Sequence, residues 1–116
     1  MTFDPLKSIL LRMSKRTVPV FPKGQRQLEE LGDRLRLARL RRRLTQAVVA
    51  ARVGVSKQTL GKLEAGNAST SLATLVRLLG VLGLAEDLDH LAADDEFGRR
   101  LQDLEQKAPP RGKARG

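Results

Sequence analysis

The sequence predicts an all-α fold, a single compact bundle of about five helices, from three observations. Apolar residues recur at the three- and four-residue spacing of helices with one buried face along most of the chain. With no Trp, no Tyr and only three Phe, the core must be built mainly from Leu, Val and Ala, which favours helices over sheets. The length of 116 residues allows one modest core with tails rather than two domains.

Charge and cysteine content narrow the possible functions. Residues 1–83 carry 16 Lys and Arg against 5 Asp and Glu, whereas residues 84–106 carry 2 against 8. The basic part indicates a polyanionic partner, the alternative being a basic surface that is merely solvated. The lack of cysteine excludes disulfides and Cys-containing zinc sites, and it is compatible with the cytoplasm, where we expect the protein to act. No apolar run approaches the roughly 18 residues of a membrane span, so we expect no membrane partner.

Residues 1–27 are predicted to form a short amphipathic helix followed by an extended arm. Asp4 and Pro5 suit the first turn of a helix. Two prolines and a glycine within residues 17–24 exclude a continuous helix, and the β-branched residues there favour an extended chain. The arm could pair with a partner, cover the core or remain loose.

Residues 28–93 are predicted to be the folded domain, and its first helix is expected over residues 25–43. The arginines of this helix fall mostly off its apolar face, and the run at residues 41–43 either contacts phosphates or is a solvated helix end. The predicted buried residues are Leu28, Leu31, Leu35 and Ala38.

Two short helices joined by a tight turn are predicted next. Thr45 is an N-cap for a helix over residues 46–52, and Gly54 supplies the left-handed conformation that a tight turn requires. Ser56 caps a third helix over residues 57–65.

The third helix is predicted to display most of its surface. Gly66 ends it, and only Leu60 and Leu63 are expected to point into the core. The residues on or near its outer face are Lys57, Gln58, Gly61 and Lys62.

A fourth, strongly apolar helix is expected to support this pair. Thr70 or Ser71 can cap it, and Gly83 breaks it. A short acidic helix is predicted over residues 84–92. Its inward-facing residues are predicted to be Leu88 and Leu91.

Residues 94–116 are predicted to form a last helix and a disordered tail. Phe97, Leu101 and Leu104 make an apolar stripe that predicts a helix to about Gln106. Two prolines and a basic, glycine-containing end follow, a composition typical of disorder.

A short helix, a glycine turn and a helix with a polar outer face is the helix-turn-helix arrangement, whose second helix enters the DNA major groove. These residues also resemble the Cro/phage-repressor (XRE-type) family over about residues 28–82. The matching pieces are Leu31-Gly32, Arg34-Leu35 and Arg39, then Thr45-Gln46 and Ala50, then Gly54-Val55-Ser56, and finally Leu60 with Leu63-Glu64-Ala65-Gly66.

The resemblance implies a DNA-binding role for a set of side chains around the third helix. Lys57, Gln58 and Lys62 would read base edges, which suits their chemistry, because Lys binds guanine O6 and N7 and Gln binds adenine N6 and N7. Gln46 would contact a phosphate or a base edge, and Thr59 base or backbone. The full candidate set is Arg43, Gln46, Ser56, Lys57, Gln58, Thr59, Lys62 and Asn67.

Two further implications of the resemblance are structural. Arg39 and Glu64 match a buried ion pair between the first and third helices, so Arg39 is not expected to contact DNA. Gly61 and Val48 depart from the polar residues typical of the family. Gly61 is explained either by close approach of its backbone to DNA or by drift, and Val48 either faces a partner or is simply exposed.

Other candidate sites do not rise above chance. His90 has no partners at metal-ligand spacing, and the nearby aspartates lack the glycine and terminal Glu of a calcium loop. No paired catalytic carboxylates, nucleophile–base pair or phosphate-binding loop is recognisable, so we expect neither an enzyme nor a cofactor.

Three functional hypotheses therefore remain. The first is a homodimeric repressor that binds double-stranded DNA at a palindrome. The second is an antitoxin, because residues 31–89 look like HipB-type antitoxins, whose partners are HipA-like kinase toxins. The third is a basic scaffold that binds membranes or proteins through residues 1–27.

Overall fold

A computed structural model describes residues 19–107 of the chain, and within that range every regular element is a helix. This confirms the predicted all-α fold. The helix predicted near Asp4 and the predicted basic tail lie outside the described residues. The described residues form six helices: α1 (Pro22–Arg41), α2 (Gln46–Val53), α3 (Lys57–Glu64), α4 (Leu72–Leu82), α5 (Asp87–His90) and α6 (Glu96–Lys107).

The chain divides into two units, and the first, which ends at Leu84, contains α1 to α4. Its helices α2 and α3 pack on each other, α1 packs on α3, and α4 packs on α2. Aliphatic side chains from all four helices fill the core, which derives its stability from removing them from water. The buried apolar residues are Leu35, Ala38, Val49, Ala50, Val53, Leu60, Leu63, Leu78, Leu79 and Leu82.

Hydroxyl caps set the starts of α2, α3 and α4. The side-chain oxygens of Thr45, Ser56 and Ser71 each accept a hydrogen bond from the backbone N–H three residues later, at 3.1, 3.0 and 3.1 Å. Each cap satisfies one of the donors that a helix start leaves unpaired. Gly54 and Gly83 end α2 and α4 with φ of 89° and 76°, so the predicted bounds of these elements hold to within one residue.

The predicted extended arm is wrong at its end, because α1 begins at Pro22 rather than at residue 25. Proline is acceptable at the first position of a helix, where its missing N–H would have no partner, and its fixed φ already suits the helix. The C-terminal end of α1 also differs from the predicted end at residue 43. Regular helix stops at Arg41, and Arg43 turns the chain with a φ of 56°.

The second unit contains α5 and α6. Helix α5 is only four residues long, shorter than predicted, and Leu91 is exposed instead of facing inward. The predicted last helix is confirmed as α6. Asp95 caps it, since its Oδ1 accepts a hydrogen bond from the Gly98 N–H at 2.9 Å.

Candidate nucleic-acid interface

Helix α3 has one anchored face and one free face. Leu60, Leu63 and Glu64 are buried, whereas the groove-reading candidates Lys57, Gln58 and Lys62 are all exposed. None of these three makes a side-chain hydrogen bond or ion pair with another residue in the described part of the chain. Their polar ends are therefore available to an external partner on a helix whose position is fixed.

The turn between α2 and α3 is tight and lies beside a cation. The N–H groups of Gly54 and Val55 both donate to the Ala50 carbonyl, at 2.8 and 3.0 Å. A Cβ on Gly54 would lie 3.1 Å from Nη2 of Arg77, an exposed residue of α4. Any other residue at position 54 would therefore meet both a left-handed backbone and the Arg77 guanidinium.

Arg39 and Glu64 form the buried ion pair that the resemblance implied. Nε and Nη2 of Arg39 donate to the two oxygens of Glu64 at 2.7 and 3.1 Å, and the side chains are only 8% and 3% exposed. Nη1 of Arg39 donates to the Leu44 carbonyl at 2.9 Å. One guanidinium thus connects α1, α3 and the segment before α2, and it is not free to contact DNA.

Gln46 extends this network towards the surface. Its Nε2 donates to Oε1 of Glu64 at 2.9 Å, and the side chain is half-buried. A carboxamide nitrogen has two protons, so one remains for a phosphate oxygen while the other fixes the orientation of the group. The ion pair therefore positions both α3 and the side chain of Gln46, a candidate DNA contact.

Two glycines allow α1 to approach the C-terminal end of α3 closely. A Cβ on Gly32 would clash with the Glu64 carbonyl oxygen and lie 2.7 Å from the Leu63 oxygen. A Cβ on Gly66 would lie 2.6 Å from the backbone nitrogen and Cα of Glu29. Helix α3 is thus held at its last turn by backbone contact as well as by the ion pair.

Of the remaining candidates, Ser56 and Thr59 lie at the start of α3, Asn67 follows its end and Arg43 lies between α1 and α2. Part of the hydrogen-bonding capacity of Ser56, Thr59 and Asn67 is used internally. The Ser56 hydroxyl accepts from the Thr59 N–H and donates to Thr59 Oγ1 at 2.9 Å, so its main role is the cap. Asn67 Oδ1 accepts from the Ser69 N–H and hydroxyl at 2.8 and 2.6 Å, which leaves the Asn67 amide group as a donor. Arg43 is exposed.

The structure shows the surroundings of Gly61 and Val48, the two residues that depart from the family pattern. Among residues 19–107, a Cβ on Gly61 would meet only Nε2 of Gln46 outside its own helix, at 4.0 Å, so packing within this range does not require glycine there. Val48 lies in the first turn of α2 and is 41% exposed, outside the set of buried core residues.

Arg77 was not among the residues predicted from the sequence to lie near this surface. It is the only charged residue of α4, an otherwise apolar and hydroxyl-containing helix, and that isolation was the available indication that it lies at the surface. Its place beside the turn became evident only from the packing of α4 on α2.

A core of four helices that presents α3 over a buried ion pair defines a helix-turn-helix protein. Comparison with protein families matches residues 30–91, more than half of the chain, to the helix-turn-helix domain, so the chain belongs to that DNA-binding family, which is found in XRE-like regulators. Comparisons with curated proteins and with solved structures found no significant match. Among residues 19–107, no helix is long and apolar enough to cross a membrane.

Proposed function

We propose that this protein is a transcriptional repressor that binds a palindromic operator as a homodimer, with α3 of each copy in a major groove. The observation that carries the proposal is the free face of α3, where Lys57, Gln58 and Lys62 are exposed on a helix anchored by buried residues. Such a helix presents donors and acceptors to base edges without first having to be ordered.

The side chains on α3 would contact bases, whereas Gln46 would position the protein on the DNA backbone. Gln58 and Lys62 are four residues apart and share one face of α3, where they suit adenine and guanine. Lys57 begins the helix and lies one turn before Gly61, whose missing side chain leaves the backbone open to close approach. Gln46, oriented by Glu64, would fix the register on a phosphate.

A second copy is needed because α3 alone reads little DNA. Its eight residues extend over about 12 Å, which corresponds to roughly four base pairs. Two copies related by a twofold axis would double the site, with half-sites about one helical turn apart. Occupying such an operator would block transcription by binding rather than by catalysis.

The test begins with selection of DNA sites from a random library by the full-length protein. We then compare affinities for the selected palindrome and for single-base variants across a range of salt concentrations. Lys57→Ala should lose about 1–3 kcal/mol of discrimination at one base pair of each half-site. The matched variant Lys23→Ala, at an exposed lysine of α1, should keep the parent's sequence preference.

Arg42→Ala provides the contrasting case. Arg42 is exposed, and its Nη1 donates to the Ala38 carbonyl at 2.7 Å, which holds the guanidinium near the end of α1. Loss of the Arg42 side chain should weaken binding to all DNA sequences alike. It should also reduce, by about one unit, the slope of the logarithm of the binding constant against the logarithm of the salt concentration. If Lys57→Ala and Arg42→Ala both bound like the parent at every salt concentration, the assignment of the α3 face to the groove would be wrong.

The resemblance of residues 31–89 to HipB-type antitoxins supports a second role for the same protein, neutralisation of a HipA-like kinase toxin. A helix-turn-helix domain would then bind the operator while another surface binds the kinase. Co-purification of a kinase-like partner with the full-length chain would support the antitoxin, whereas a homodimer that binds operator with no such partner would support a stand-alone regulator.

A further inference from the structure

Helix α6 carries an apolar stripe that is exposed. Phe97, Leu101 and Leu104 are 71%, 50% and 66% exposed, and no residue of α6 is buried. Their spacing of four and then three residues is that of the d, a and d positions of a coiled coil. The positions away from this seam are polar: Arg99, Gln102, Asp103 and Gln106.

Charged residues of opposite sign flank the stripe on its two sides. With Leu101 at an a position and Leu104 at a d position, Arg100 occupies g and Glu105 occupies e of the following heptad. In a parallel pair of helices, a g residue lies beside the e residue of the partner five positions further on. Arg100 of each helix would therefore lie beside Glu105 of the other, which gives two attractive contacts.

We propose that α6 pairs with α6 of a second copy of this chain as a parallel two-stranded coiled coil. The inference rests on the proposed function, since it names the interface of the homodimer. Charge favours the parallel arrangement, because antiparallel pairing would bring Arg100 of one helix beside Lys107 of the other. Burial of the seam supplies the attraction, and the charges select the second copy and its direction.

The existing contact of Arg100 does not prevent this pairing. Its Nη2 donates to Oε1 of Glu96 at 2.8 Å, one turn earlier on the same helix. Both side chains are largely exposed, at 73% and 65%, so the contact holds Arg100 weakly. A guanidinium has five donor protons and can serve Glu96 and the Glu105 carboxylate of a second copy together.

The first experiment measures the dimer dissociation constant of the full-length protein by sedimentation equilibrium. Leu101→Asp should raise that constant by more than about tenfold, because it places a charge in the seam of both helices. The matched variant Gln102→Asp puts the same charge on the polar face and should change the constant by less than about twofold. Helical content from circular dichroism shows whether α6 is still formed in both variants.

The second experiment reverses the flanking charges. Arg100→Glu and Glu105→Arg should each weaken their own homodimer by roughly three- to tenfold, because each puts like charges beside one another twice. An equimolar mixture of the two variants should form a heterodimer as tight as the parent dimer, since both flanking contacts are then attractive again. In an antiparallel pair, Arg100→Glu would instead tighten the homodimer by facing Lys107, and that result would overturn the parallel arrangement.

The outcome for DNA separates this inference from the proposed function. If Leu101→Asp abolishes dimers while the monomer still binds a half-site with the parent's sequence preference, both the interface and the DNA role stand. If Leu101→Asp and the charge reversals leave the dimer constant unchanged, or if the parent is monomeric both free and on the palindrome, the inference fails. Failure of the parent to select any DNA site would refute the proposed function, whatever its oligomeric state.

Discussion

Helices α3 and α6 are both short and amphipathic, and they differ in which face meets the rest of the protein. Helix α3 buries Leu60, Leu63 and Glu64 and leaves cationic and amide side chains in solvent. Helix α6 buries no residue and leaves an aromatic and two leucines in solvent. The first helix is therefore fixed before any partner arrives, whereas the apolar seam of the second is exposed in the described part of the chain.

The exposed face of each helix indicates the kind of partner that it suits. Exposed charges on an anchored helix cost little in water and are ordered in advance, which suits recognition of a polar groove. Exposed large apolar side chains on a helix without anchors raise the free energy of the protein in water until they are covered, which suits protein contact. Four pairs of variants compare residues in or near the anchored helices with matched residues elsewhere in the described chain.

The largest difference is expected between two arginine–carboxylate pairs. Arg39→Met should lower the free energy of unfolding by about 3–5 kcal/mol, because it leaves the Glu64 carboxylate buried without its partner. Arg99 makes a pair of the same length with Asp94, 2.7 Å, but both side chains are exposed, at 59% and 82%. Arg99→Met should therefore cost at most about 0.5 kcal/mol.

Urea denaturation followed by circular dichroism measures both values. The double variant Arg39→Met with Glu64→Leu should recover part of the loss, since neither charge is then buried alone. Equal losses for Arg39→Met and Arg99→Met would mean that α3 has no special anchor.

The next effect concerns the close approach of α1 to α3. Gly32→Ala should destabilise the protein by about 1–3 kcal/mol, because its Cβ would overlap the backbone of Leu63 and Glu64. Gly80 in α4 is the matched control, because, apart from its own helix backbone and chain neighbours, no described residue has a heavy atom within 4 Å of the position of a Cβ. Gly80→Ala should stabilise by up to about 1 kcal/mol through helix propensity alone. Opposite shifts of the urea midpoint check this prediction, and a shift of the same sign would contradict it.

Sequence alone predicted the anchored part of the protein better than its edges. The bounds of α2, α3 and α4 depend on residues that are close to them in the chain. Each of these helices begins at a hydroxyl cap, and a left-handed glycine ends α2 and α4. The caps are Thr45, Ser56 and Ser71, and the glycines are Gly54 and Gly83. Local chemistry of this kind is readable without knowing the fold.

The missed features depend on distant residues or on two uses of one residue type. Pro22 was interpreted as a helix breaker, although proline also begins helices, and local sequence did not decide between the two. The hydrogen bond from Gln46 to Glu64 and the place of Arg77 beside Gly54 join residues on different helices. Leu91 was assigned inward by spacing alone, but α5 is too short to hold it there.

A smaller effect is expected from removing the caps of the two helices. Ser56→Ala removes the acceptor for the Thr59 N–H and should lower the free energy of global unfolding by about 1 kcal/mol, since α3 is part of the core. Asp95→Ala removes the acceptor for the Gly98 N–H, yet it should leave the global value unchanged because α6 buries nothing.

Hydrogen exchange separates these two cases. In Asp95→Ala, the amides of the first turn of α6 should exchange faster, while those of α2 and α3 keep the parent's rates. Equal falls in the urea midpoint for the two cap variants would show that α6 is coupled to the core, and the contrast between α3 and α6 would then be lost.

The smallest effect on stability is expected at the two non-glycine residues that have a positive φ within residues 19–107, Arg43 at 56° and Ala92 at 59°. Glycine relieves the strain of this conformation but loses more chain entropy on folding, so Arg43→Gly should stabilise by only about 0.5 kcal/mol. The same change removes an exposed cation from the proposed DNA-binding surface, and affinity should fall about threefold with a shallower salt slope. Ala92→Gly relieves the same strain and should leave DNA affinity unchanged.

A rise in stability with a loss of DNA affinity at position 43 alone would indicate that a strained arginine is retained there for contact with phosphate. If DNA affinity were unchanged in both variants, Arg43 would not belong to the interface.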